Sequence, residues 1–244
     1  MNKLQIIFAA ALFTASGSLQ AASPSPTIAA NDLSFVNRIF QDLDGRAPSA
    51  TELAADLDAL QQGTSTRAQL AASLFDSAEF HDNAGFLVKC YSGLLQHDSD
   101  FTQWAQILKV MQSGASQDSA LAAFMSTPEF AAAFPDSLSD GAFVTNLHRK
   151  LLARDPDARE FDSYSLKLAQ GASRPTMIEE FLRGAEFEAR IASRVNANLA
   201  YLAFLRHAGE ATAIEGWTGK LDSGATVTDL IGDLISTPEY AARF

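Results

Sequence analysis

Thr127-Pro128-Glu129-Phe130 is one of four related phrases, the others being Ser77-Ala78-Glu79-Phe80, Gly184-Ala185-Glu186-Phe187 and Thr237-Pro238-Glu239-Tyr240. Their glutamates lie 50, 57 and 53 residues apart, and a glycine (Gly63, Gly114, Gly171 or Gly224) stands 15 or 16 residues before each. Two landmarks at a near-constant offset mark an internal repeat. Working outward, apolar or aromatic residues precede each glycine at helical spacing: Leu53 and Leu60, Trp104 and Met111, Phe161 and Leu168, Ile214 and Leu221. Offsets of three and four residues line one face of a helix. The glycine suits a left-handed C-cap that ends it. A second helix follows, carrying Leu70, Leu74 and Phe75 in the first unit and Ile231, Leu234 and Ile235 in the fourth. Each unit opens on a further helix, at Phe35–Phe40, Phe86–Tyr91, Phe143–His148 and, more weakly, Val195–Ala200.

No stretch shows the alternation that strands need. The expected fold is all-α: four degenerate three-helix repeats packed as a helical array or as two paired bundles. Residues 32–134 hold repeats one and two, residues 142–244 hold repeats three and four, and Pro135–Gly141 lies between as a candidate hinge. Glu186–Arg206 contains no breaker and reads as one long helix joining units three and four.

The N-terminus sets the expected compartment. A short basic start (Met1–Lys3), an apolar run (Leu4–Phe13) and a small-residue stretch ending at Ala21-Ala22 are the three parts of a secretory signal peptide. Residues 1–22 are therefore expected to be removed near Ala21 or Ala22, residues 23–31 to form a flexible lead-in, and the mature chain to be periplasmic or secreted. The apolar run is shorter than the roughly 20 residues a membrane span requires. The formal charge of −11 argues against nucleic acid or anionic lipid as partner, because both need a cationic footprint.

In unit three, Phe143-Val144 and Leu147, then Leu151-Leu152, Arg154-Asp155-Pro156-Asp157, Gly171 and Gly184-Ala185-Glu186-Phe187 resemble the bacterial repeat called domain of unknown function 4214. That family is distantly similar to the repeats of phycobilisome linker polypeptides. Arg46-Ala47-Pro48 carries the same resemblance in unit one, whereas His97 and Ala208 depart from the Arg-x-Pro phrase in units two and four. The resemblance implies an exported helical module, often within adhesion-like or polysaccharide-related proteins, and brings no catalytic residues or cofactor.

The residues that could carry chemistry read as structure. Glu79, Glu129, Glu186 and Glu239 recur in all four units, and an active site is not usually built four times. Ser77, Thr127 and Thr237 suit N-caps, proline suits the first position, and the glutamate suits the first turn. Alignment places Arg46, His97, Arg154 and Arg206 at one position, each expected to pair with the glutamate of its own unit as a structural clasp. Cys90 aligns with Ile39, Leu147 and Leu199 and reads as core. No two of His81, His97, His148 and His207 have the spacing of a helical zinc pair, and Asp42–Gly45 fails the spacing of a calcium loop. Trp104 and Trp217 stand where other units are apolar. No catalytic, cofactor or metal residue is expected. The expected function is a non-enzymatic binding or scaffolding module whose partner is an envelope or extracellular protein or polysaccharide. The alternative is an unrecognised hydrolase or glycan-processing accessory of the cell envelope.

Overall fold

A computed structural model describes residues 26–244, with side chains from residue 31 onward apart from that of Glu79. The expected signal peptide lies outside the described residues. Unit one comprises α1 (Pro26–Leu43), α2 (Ala50–Gln62) and α3 (Arg67–Phe75). A single turn, α4 (Ala78–Phe80), then runs through a π-helical turn (His81–Gly85) into α5 (Phe86–Lys89) and a second π-helical turn (Cys90–Leu95). Unit two continues with α6 (Phe101–Gln112), α7 (Gln117–Met125) and α8 (Pro128–Ala133). Unit three is α9 (Asp140–Leu147) with a π-helical turn (His148–Leu152), α10 (Ala158–Ala169) and α11 (Arg174–Leu182). Helix α12 (Ala185–Ala200) passes through a π-helical turn (Tyr201–Leu205) into unit four, which ends with α13 (Ala211–Asp222), α14 (Val227–Ile235) and α15 (Pro238–Ala241). The protein is all-α, with no strand among the described residues.

Local chemistry explains the boundaries. Ser49, Thr66, Asp157 and Thr226 each accept from the backbone three residues on while Glu52, Gln69, Glu160 or Asp229 reaches back, forming capping boxes. Thr127 and Thr237 cap α8 and α15, with proline at the first position. Gly63, Gly114, Gly171 and Gly224 have φ between 69° and 100° and turn the chain between the second and third helices of each unit. An added Cβ would meet nothing within 4 Å there, so glycine is required by the left-handed backbone and not by space. The described part of α1 already includes residues 26–31, inside the stretch expected as a flexible lead-in.

Two long rods organise the molecule. Residues 78–95 and 185–205 each run continuously from one unit into the next, and α12 packs against α5 and the turn His81–Gly85. Gly93 allows a close approach between the rods: a Cβ there would meet Leu151 and Phe187 at 2.7 Å. Ion pairs Lys89–Glu188 (2.5 Å) and Arg194–Asp98 (2.7 Å) tie units two and three. The stretch between α8 and α9 is held down by Arg174, which donates to the Leu138 carbonyl.

The contacts between units go further than a row of neighbours. Helix α3 of unit one packs against α14 of unit four, and α1 packs against the turn Tyr201–Leu205. One cluster of buried apolar side chains runs from Phe35 to Tyr240 through all four units.

Candidate functional site

At the end of each unit's first helix the chain makes the same sequence of moves. Gly45, Gln96, Ala153 and Arg206 adopt left-handed φ of 69°, 64°, 55° and 62°. The next residue is a base: Arg46, His97, Arg154 or His207. Each base donates to the carbonyl of the residue after it: Arg46 to Ala47 (3.2 Å), His97 to Asp98 (2.9 Å), Arg154 to Asp155 (3.3 Å) and His207 to Ala208 (2.6 Å). Six residues before each base stands a ring, Phe40, Tyr91, His148 or Tyr201. Three of these rings pack on their base, with Arg46 5.1 Å from Phe40, His97 5.6 Å from Tyr91 and His207 6.2 Å from Tyr201.

This register corrects the alignment in unit four. Arg206, expected to pair with Glu239, occupies the left-handed position itself and reaches Asp42 of unit one at 3.4 Å. Glu239 pairs with His207 at 3.0 Å. Two adjacent bases made the reading ambiguous by one residue, and the ring six residues upstream is the signal that resolves it. In this register Cys90 stands with Ile39, Leu147 and Ala200, all wholly buried.

Unit three is the most complete. The guanidinium of Arg154 makes five hydrogen bonds, matching its five N–H donors. Two go to Glu160 at 2.7 Å each, two to Glu186 at 2.6 and 2.8 Å, and one to Asp155. Arg154 first, and then the Asp157 N–H, hold the Glu160 carboxyl down at about 2; Arg154 also lowers Glu186. Glu160 is the capping-box residue of α10, so one arginine joins the ends of α9, α10 and α12. In unit one Arg46 grips Glu52 (2.8 and 2.9 Å) and Asp44 (3.1 Å), and the Glu52 carboxyl is likewise held at about 2, by Arg46 and then Ser49. The side chain of Glu79, its expected partner, lies outside the described residues. In unit two His97 Nε2 meets Glu129 at 2.5 Å. His97 and His207 thus each meet a carbonyl at Nδ1 and a carboxylate at Nε2.

Other features were missed in the sequence. Arg67 on α3 pairs with Asp32 (2.6 Å) and lies over Phe35 (5.1 Å); Arg174 on α11 pairs with Asp140 (3.2 Å) and lies over Phe143 (4.8 Å). An arginine at the first position of the third helix in units one and three was the available signal. Arg243 bridges the Asp42 carboxylate at 2.7 and 2.8 Å and donates to the Phe204 carbonyl, joining the last unit to the first. Burial outweighs Arg243 and leaves the Asp42 carboxyl raised.

The remaining candidates are placed as follows. Cys90 is wholly buried and burial pushes its thiol far up, so it is not a poised nucleophile. Trp104 is 2 % exposed and donates to the Ala84 carbonyl at 3.1 Å, and Trp217 is buried against Lys220. Phe161, which shares a sequence position with Trp104 and Ile214, instead stands 36 % exposed. It lines an open groove with Ser139, Thr145, Asn146 and Arg149. No group of three or more His, Cys, Asp or Glu side chains among the described residues is arranged to hold a metal ion. No helix among them is long and apolar enough to cross a membrane.

Residues 122–191 match the family model described as domain of unknown function (DUF4214). The chain resembles that family over the stretch where the geometry is most complete. The DUF4214 match begins within α7 and ends within α12, so it contains the last turn of unit two, all of unit three, and the whole Arg154, Glu160 and Glu186 junction. Its frame is offset from the units read in the sequence: it starts near the Glu129 phrase and closes after the next one. No curated protein and no solved structure matches the chain.

Proposed function

We propose that the protein is a non-enzymatic binding or scaffolding module, exported to the periplasm or beyond, whose partner is an envelope or extracellular protein or polysaccharide. The observation that supports this most is the open groove between α9 and α10. There the DUF4214-like unit turns Phe161 outward beside Asn146 and Arg149, where its copies in units two and four are buried. An exposed ring beside amide and guanidinium groups offers stacking and hydrogen bonding to a sugar or to a protein side chain. The recurring ionisable residues support it from the other side, since Arg46, His97, Arg154 and His207 are engaged in joining helices. Export rests on the three-part N-terminal sequence.

A glycan array and a pull-down from envelope extract, each run with the mature protein and with Phe161→Ala, test the proposal. The expected result is one saturable partner class retained by the wild type and weakened at least about tenfold in the variant, the range of a contact-centre aromatic. Turnover of a glycan or ester would overturn it in favour of a hydrolase or glycan-processing accessory.

A further inference from the structure

The third helices of the units meet in pairs, and the two seams differ in chemistry. At the seam between units one and four, α3 packs on α14. Ala68, the second residue of α3, faces Gly232, the sixth of α14, where an added Cβ would stand 3.5 Å from it. Helices α7 of unit two and α11 of unit three repeat the pairing. Gln117, the first residue of α7, accepts from Arg183 at the end of α11 (2.9 Å) and donates to the Asp82 carbonyl (2.7 Å). Their counterparts Arg67 and Ser236 likewise line one cleft. Here, however, the second and sixth positions hold Asp118 and Glu179, whose carboxyls hydrogen-bond to each other. The backbones of α7 and α11 stay further apart than those of α3 and α14. Beside them lies a polar cleft of about 190 Å³, lined by His81, Lys89, Gln117, Arg183 and Glu188.

Two ionised carboxylates only accept, so a hydrogen bond between them needs one proton, and without it two like charges meet. Burial, and then Asp118, raise the Glu179 carboxyl, against the opposing pull of Arg183. Those two are the charged groups facing Glu179; its neighbour Glu180 turns to Lys167 of α10 (2.5 Å). An acid raised in the folded state favours the closed contact while protonated, and that contribution is lost as pH rises through the raised value. We propose that the seam between units two and three is a proton-held latch: α7 and α11 stay together while Asp118 and Glu179 share a proton and part when both ionise, whereas the Ala68–Gly232 seam does not respond. Parting widens the cleft at Lys89 and Glu188, so proton uptake controls access to it. The latch is independent of the groove at Phe161.

Amide hydrogen exchange of the full chain at about pH 4 and about pH 7, either side of the carboxylate range, tests the proposal after correction for intrinsic rates. Protection in α7 and α11 is expected to fall about twofold to fivefold relative to α3 and α14 as pH rises, the range of a surface charge pair. Asp118→Asn keeps the shape and removes one charge. It is expected to abolish most of that difference and to bring the Glu179 midpoint in carboxyl NMR back toward the ordinary glutamate value. Equal changes at both seams, an unchanged pH dependence in Asp118→Asn, or an unmoved Glu179 midpoint would overturn the proposal.

Discussion

At the scale of single residues, Arg154 is the best-defined group. Glu160 has its carboxyl lowered from 4.5 to about 2. A depressed acid contributes stability that is present above its unfolded value and is lost as pH falls toward the folded one. Carboxyl NMR is therefore expected to show Glu160 titrating near 2, and Arg154→Ala is expected to return it toward the ordinary glutamate range. A Glu160 midpoint unmoved by the substitution would remove Arg154 as the cause. Gly171 makes a separate point, because its φ of 95° is open to solvent on the Cβ side. Gly171→Ala is expected to cost about 1–2 kcal/mol in urea unfolding, the left-handed penalty of an L-residue. No loss would mean that the turn readily adopts another backbone. Both residues were legible in the sequence, Gly171 by its constant offset and Arg154 by its phrase. The second carboxylate on Arg154 was not, because Glu160 has an acidic counterpart only at Glu52, with Gln103 and Ala213 in the other units.

At the scale of elements, units one and three carry arginine at the junction and units two and four carry histidine. His97 spans the Asp98 carbonyl and the Glu129 carboxylate with its two ring nitrogens. His97→Ala is expected to lower the melting temperature, and Glu129→Ala to cost little more in that background; fully additive losses would contradict the junction. The sequence displayed the long rod at 185–205, because nothing in Glu186–Arg206 breaks a helix. The equivalent rod at 78–95 was not read in the sequence, since Asp82, Asn83 and Gly85 are weak helix formers. In the structure a π-helical turn absorbs that stretch, and Gly85 sits beside His81 and Leu199. The slip by one residue at Arg206 has a similar origin: hydrophobic spacing tolerates a shift of one where two bases adjoin, and only the ring and the left-handed φ fix the register.

At the scale of the whole molecule, units one and four meet. Neither the packing of α3 on α14 nor the bridge from Arg243 to Asp42 leaves a local trace in the chain, since the first joins helices 160 positions apart and the second residues 201 positions apart. Arg243→Ala leaves the buried Asp42 carboxylate with only the longer Arg206 contact at 3.4 Å, and removing one partner of a buried pair typically costs about 3 kcal/mol. The loss is expected to shrink as pH falls, because a protonated Asp42 needs no cation. A loss independent of pH would place the effect in packing instead. The larger claim is that the shared core and the seam make the four units one cooperative body. Scanning calorimetry of residues 23–244 tests it most directly, through the ratio of calorimetric to van't Hoff enthalpy. One transition with a ratio near 1 is expected; two separated transitions, one for residues 32–134 and one for residues 142–244, would contradict it.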